Sequence, residues 1–198
     1  MRVLGITGGI ATGKSTVTQM LADLGAPTVS ADALAHDLLF PGTPTTRAVL
    51  DAFPDCADPA YPPGQAIDRR ALGNIVFADA SARARLESLT HPAIIAALRR
   101  QISDWHEAEG RCAAAEIPLL FEADLVSLPD RVIVVACGEA VQIARMRARI
   151  GVSEEEARER LSAQWPLAQK IARADVVVTT DGDLEDTRRQ VEALWKTL

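Results

Sequence analysis

The chain has 198 residues, enough for one compact domain with small excursions from it. It is 48% hydrophobic and 24% charged, an ordinary globular balance that excludes a disordered or fibrous class. A formal net charge of −6 with no basic run argues against nucleic acid or an anionic membrane as partner.

Arg2–Thr7 reads as a buried strand that runs into a glycine-rich turn. An amphipathic helix follows, with Val17, Met20, Leu21 and Leu24 on one face and Gly25 as its stop. Pro27–Ser30 is a second short strand, and a helix starts near Asp32. From about Pro41 to Gly64 the chain is rich in Pro, Gly and Asp and reads as a surface loop. It leads into a helical insertion at about residues 68–109, where Ile94, Ile95, Leu98, Ile102 and Trp105 follow helical spacing. Gly110–Ile117, Arg131–Cys137 and Asp175–Thr179 are the remaining strands. Between the last two, residues 139–173 read as almost wholly helical, with a capping box at Ser153 and Glu156. A final helix carries Leu184, Val191, Leu194, Trp195 and Leu198 on one stripe. Apolar, non-alternating strands separated by helices predict an α/β fold, a parallel sheet covered on both faces. The insertion and the helical stretch are candidates for a substrate cap and a closing lid on one domain spanning residues 1–198.

Residues Gly8–Ser15 match the phosphate-binding pattern GxxxxGK[ST] between an apolar strand and an amphipathic helix, the context this motif needs. Its glycines let the backbone curl so that N–H groups point at phosphate oxygens, and the helix dipole adds positive potential. Lys14 then meets the β- and γ-phosphates and the Ser15 hydroxyl ligates Mg²⁺. A glycine-rich turn that merely joins strand to helix would not require Lys and Ser in this register. The motif predicts nucleotide binding but does not separate a kinase from a GTPase or ATPase.

A kinase also needs a group that orients or deprotonates the acceptor hydroxyl, and cations over the transferring phosphoryl group. Asp32, after the second strand, is a candidate base, or else the N-cap of its helix. Arg145 and Arg149 share one helical face and are candidates to close over phosphates, or else part of a solvated, Arg-rich surface.

Taken together, these segments resemble the dephospho-coenzyme A kinases. The opening ITGGIATGKST is similar to that family's P-loop. Ser30-Ala31-Asp32 resembles its Asp-Ala-Asp element, Thr90-His91-Pro92 its His-Pro element, and Glu116–Glu122 its Pro-Leu-Leu-Phe-Glu signature. Gln142-x-x-Arg145-x-x-x-Arg149 resembles its lid motif, and Gln164 with Ala174-Asp175 the element after it. The likeness runs through almost the whole chain in order.

The resemblance implies a three-layer P-loop kinase fold with a five-stranded parallel sheet. It implies ATP-dependent phosphorylation of the ribose 3′-hydroxyl of dephospho-CoA, with Mg²⁺, in a cytoplasmic enzyme expected to be monomeric. Asp32 would be the catalytic base and would meet the substrate with His91. Lys14 and Arg145 would act in catalysis. Gly9, Ala11, Thr12, Gly13, Lys14, Ser15, Thr16 and Arg149 would bind ATP, and Ser15 the metal.

This chain departs from the family's pattern at three positions. Ala11 stands where Gly is usual, tolerable if its φ stays negative. Ser30 replaces the first Asp, leaving any shared role to Asp32. Thr180 stands where Asn is frequent, before the glycine turn expected to face adenine.

Several residues are assigned bland roles. His91 before Pro92 is expected to help start a helix, and His36 and His106 to be solvated or packed. Glu116 and Glu122 could orient Mg²⁺ through water or serve as caps or ion pairs. Trp105, Trp165 and Trp195 are expected in the core. Cys56, Cys112 and Cys137 are too scattered for a zinc site and are expected to be buried thiols. Competing classes are another small-molecule kinase of the same core, such as a nucleotide or shikimate kinase, and a regulatory GTPase. The GTPase reading lacks an NKxD guanine motif.

Overall fold

A computed structural model describes residues 1–198. The chain forms two compact units, one of Met1–Ser30 with Ile102–Leu198, the other of Ala31–Gln101.

The first unit is built on five parallel strands: β1 (Arg2–Gly8), β2 (Thr28–Ser30), β3 (Cys112–Glu116), β4 (Arg131–Ala136) and β5 (Val176–Thr179), in the order β2-β3-β1-β4-β5. The predicted strands are all present, each within two residues of its expected ends. Ile6 pairs with Glu116, Ser30 with Glu116, and Thr7 with Val134, so the carboxyl ends of the inner strands line up. β1 lies at the centre and is followed by helix α1 (Lys14–Asp23). From β1 the chain passes over β3 to reach β2, whereas β3 passes over β1 to reach β4. The loop after β1 therefore opens where the connections diverge, the usual ligand position in such sheets.

α1 and the last helix, α9 (Leu184–Lys196), cover one face. Val17, Leu21, Val191 and Leu194 pack there on Leu4, Ile6, Ile133 and Val135. α1 ends as Gly25 predicts. Gly25 adopts φ 100°, its N–H donates to Ala22 O, and the Ala26 N–H donates to Leu21 O. That pair of bonds is the Schellman closure, which needs a left-handed residue. Helices α6 (Glu139–Ile150), α7 (Glu154–Ser162) and α8 (Leu167–Ile171) occupy the stretch after β4. The capping box is formed in both directions, Ser153 Oγ accepting from Glu156 N and Glu156 Oε2 from Ser153 N.

The second unit contains α2 (Ala31–Leu38), α3 (Pro44–Ala52), α4 (Arg69–Ala78) and most of α5 (Ala80–Glu107). It has its own core of Val49, Leu50, Phe53, Cys56, Ile67 and Leu72. The expected loop at 41–64 is corrected in part, because Pro44–Ala52 is helical. Thr43 caps it, its hydroxyl accepting from Thr46 N, with Pro44 at the first helical position where its missing N–H costs nothing. His91-Pro92 is also corrected. It does not start a helix but lies inside α5. A proline there costs roughly 3 kcal/mol. Burial of Leu98, and packing of Leu86 and Leu89 on the unit's core, hold the helix on both sides of it. No helix is long and apolar enough to cross a membrane.

Candidate active site

The turn after β1 is shaped by what surrounds it. A Cβ on Gly8 would lie 2.2 Å from Val135 O, and one on Gly9 would lie 2.7 Å from Gln142 Nε2. Gly13 adopts φ 89° and precedes the first residue of α1. Ala11 has φ 58°, so the condition under which alanine would be tolerated without strain, a negative φ, is not met. The replacement of Gly by Ala places a methyl in the left-handed region, at a cost of roughly 1–2 kcal/mol.

Each of the loop's carbonyl groups from Gly9 to Gly13 meets a donor. Gly9 O accepts from Thr12 Oγ1 at 3.0 Å and Lys14 Nζ at 2.8 Å. Ile10 O accepts from Gln142 Nε2 at 2.6 Å, Ala11 O from Arg145 Nη1 at 3.2 Å, and Thr12 O from Thr180 Oγ1 at 2.7 Å. Gly13 O takes Val17 N, the first turn of α1. Carbonyls engaged in this way hold the backbone in its curl, the conformation from which loop amides other than that of Ile10, which Gln164 takes, can meet an anion. α1 has no side-chain cap and no acidic residue in its first turn, so its leading N–H groups and dipole are offered to an anion.

Ser15 Oγ donates to Glu116 Oε1 at 2.9 Å, and Glu116 is buried at the end of β3 with 6% exposure. No group of three or more His, Cys, Asp or Glu side chains converges anywhere in the chain. A magnesium ion bound with a nucleotide needs only one or two protein oxygens, since phosphates and water supply the rest. Ser15 with the buried Glu116 carboxylate behind it fits that requirement.

Arg145 is half-buried and spans three elements. It donates to Ala11 O, to Thr180 Oγ1 at 2.9 Å and to Thr180 O at 2.6 Å. Its guanidinium also lies 3.6 Å from Cys137 Sγ. Burial raises the Cys137 thiol pKa; its hydrogen bond with Thr180 and the nearby guanidinium lower it in part. Arg149, one turn on, is exposed. Both arginines line a cavity of about 460 Å³ with Gly13, Thr16, Thr180 and Gly182.

The first unit thus brings together the P-loop, Lys14, Ser15, Thr16, Arg145 and Arg149. Asp32 and His91 belong to the second unit. Asp32 is exposed at the second position of α2, inside the helix rather than at its N-cap. His91 is half-buried in the middle of α5. Sequence reasoning did not single out the brace made by Thr180, or the pair Gln142 and Gln164, whose side chains converge on Ile10. Their signal was present only as motif positions without a physical role.

The sequence model of the dephospho-CoA kinase family matches residues 2–186. The chain belongs to the dephospho-CoA kinase family. A dephospho-CoA kinase from Geobacter sulfurreducens is 42% identical over 195 residues, covering 98% of each chain. Among solved structures, a protein from Thermus thermophilus superimposes with TM-score 0.77 at 33% identity, covering 100% of this chain and 97% of the other. A dephospho-CoA kinase from Campylobacter jejuni gives TM-score 0.69 at 28% identity, covering 99% and 96%.

Proposed function

We propose that the protein transfers the γ-phosphoryl group of ATP to the ribose 3′-hydroxyl of dephospho-CoA, yielding coenzyme A and ADP. The observation that carries this reading is the bracing of every carbonyl from Gly9 to Gly13, which holds the curl of the phosphate-binding loop ahead of the uncapped start of α1. Family membership supplies the acceptor.

The acceptor oxygen forms a bond to the γ-phosphorus while the bond to the β,γ-bridging oxygen breaks and ADP leaves. Asp32 accepts the hydroxyl proton. The P-loop amides and Lys14 neutralise charge on the phosphates, and catalysis rests on positioning and electrostatics. Ser15, backed by Glu116, would hold Mg²⁺, which when bound would supply further neutralisation of the phosphate oxygens. Gly9, Ala11, Thr12 and Gly13 form the cradle's wall, and Thr16 and Arg149 face the nucleoside side through the cavity they line. Arg145 fixes the loop's shape through Ala11 O and Thr180 while its charge adds to the positive field there. His91 meets the substrate on the helical insertion of about residues 68–109, and residues 139–173 serve as the lid.

The deciding test is ATP turnover with and without dephospho-CoA. Strong stimulation by dephospho-CoA, and not by shikimate or nucleosides, is expected. Turnover that ignores every hydroxyl acceptor would overturn the reading. Asp32→Asn should leave ATP binding near normal and lower turnover about a hundredfold or more. Full activity would remove Asp32 from the mechanism.

A further inference from the structure

Ile10 is the one P-loop residue gripped at both its N–H and its C=O by side chains from elsewhere. Its N–H donates to Gln164 Oε1 at 2.9 Å, and its carbonyl accepts from Gln142 Nε2 at 2.6 Å. The two glutamines come from different elements, α6 and the turn between α7 and α8. Backbone chemistry fixes their orientation, because an N–H can only donate and a carbonyl can only accept. Gln142 therefore acts through its amide nitrogen and Gln164 through its amide oxygen. The Ile10 side chain also packs on Ile143, Met146 and Ala157 of α6 and α7.

Gln164 is itself held. The adjacent Trp165 stacks on Phe121 with centroids 6.2 Å apart, and the Arg173 guanidinium lies over the Trp165 ring, 4.9 Å from its centroid. Lys170, fully buried, forms an ion pair with Glu122 at 2.6 Å. Phe121 and Glu122 follow β3, the strand that ends at Glu116 behind Ser15. The segment that carries Gln164 is thus fastened at two points to the stretch that follows β3.

We propose that Gln142 and Gln164 form a two-sided bracket that positions the P-loop for ATP, one supplying a donor and the other an acceptor to the same residue. Neither is a catalytic residue. They act through Ile10, holding the Gly9–Ala11 segment so that the amides beyond it stay aimed inward. This deepens the kinase reading and rests on it.

The opposite polarity of the two glutamines gives a sharp test. Glutamate is nearly isosteric with glutamine, but a carboxylate only accepts. Gln164→Glu keeps the acceptor for Ile10 N–H. Gln142→Glu sets a carboxylate against Ile10 O, and works only when protonated. Affinity for a non-hydrolysable Mg·ATP analogue, read by calorimetry at about pH 7.5, where an ordinary glutamate is ionised, is the primary measurement. Gln164→Glu should bind within about threefold of the unaltered protein. Gln142→Glu should bind about tenfold or more weakly. Gln142→Leu and Gln164→Leu should each weaken binding about tenfold, with KM for dephospho-CoA little changed.

If both glutamate variants bind alike, or both leucine variants bind as tightly as the unaltered protein, the bracket is refuted. Thermal melting of each variant shows that it is folded. Because the primary readout needs no acceptor, failure of the bracket and failure of the dephospho-CoA assignment are separate results.

Discussion

Thr180→Val isolates the brace on Thr12 O of the P-loop. Thr180 is 4% exposed, and its hydroxyl donates to Thr12 O at 2.7 Å while accepting from Arg145 Nη1 at 2.9 Å. Valine keeps the shape and removes both bonds. A neutral buried hydrogen bond contributes about 1 kcal/mol and one to a charged group about 1.5–3 kcal/mol, reduced here because Arg145 keeps Ala11 O and Thr180 O. A net loss of about 2 kcal/mol is expected, a Tm lower by roughly 4–8 °C for a chain of this size. With Thr12 O no longer held by this hydroxyl, ATP affinity should also fall about tenfold, the equivalent of about 1.4 kcal/mol. Calorimetric melting and titration with a non-hydrolysable ATP analogue measure the two effects. Thr180→Ser is the control. It loses a methyl, costing about 0.8 kcal/mol, yet keeps the hydroxyl and should bind ATP within about threefold of the unaltered chain. A valine variant that melts and binds like the parent, or a serine variant as impaired as the valine, would refute the brace.

Two further substitutions test other parts of the frame. Gly8→Ala would set a Cβ 2.2 Å from Val135 O on β4. It should cost about 3 kcal/mol or more and abolish ATP binding, whereas Gly25→Ala, with nothing within 4 Å, should show only left-handed strain of about 1–2 kcal/mol and normal ATP binding. Lys170 and Glu122 have no other hydrogen-bond partner, so breaking the pair leaves one charge stranded. Glu122→Gln and Lys170→Met should each cost about 3 kcal/mol in chemical denaturation, the former more because Lys170 is fully buried and Glu122 is not. The Lys170→Met/Glu122→Gln double variant should be less destabilised than the sum of the two singles; strict additivity would show that the two charges do not interact.

The elements that the sequence disclosed are those whose cause is local. β1, β3 and β4 are continuous apolar runs because both of their faces are buried, and Gly25 marks a helix end because the Schellman closure needs its φ. The P-loop was legible for the same reason, since its register is enforced by the ligand it serves. Two local signals misled. The Pro- and Gly-rich stretch after residue 41 hid α3, because Pro44 stands at the first helical position rather than inside the helix. His91-Pro92 suggested a helix start, because no local pattern shows that packing on both sides carries α5 through a proline.

What could not be read is the set of partners of the loop's carbonyls. Gln142 and Thr180 stand 132 and 168 residues from the atoms they brace, and a glutamine on an amphipathic helix looks like any polar surface residue. Thr180 shows why a departure from a family's pattern can be misread. An asparagine offers an amide donor and a carbonyl acceptor, and the threonine hydroxyl offers one of each as well, so the exchange preserves the chemistry Thr12 and Arg145 require. Ala11 carries the converse lesson. Its left-handed φ costs roughly 1–2 kcal/mol, but glycine would loosen the unfolded chain by about 0.4–1 kcal/mol and forfeit a methyl, worth about 0.8 kcal/mol, that packs beside Ile143 and Met146. The terms nearly cancel. The same α6 that supplies Gln142 and Arg145 to the loop's carbonyls thus also supplies the apolar contact that lets an alanine stand in a glycine's place.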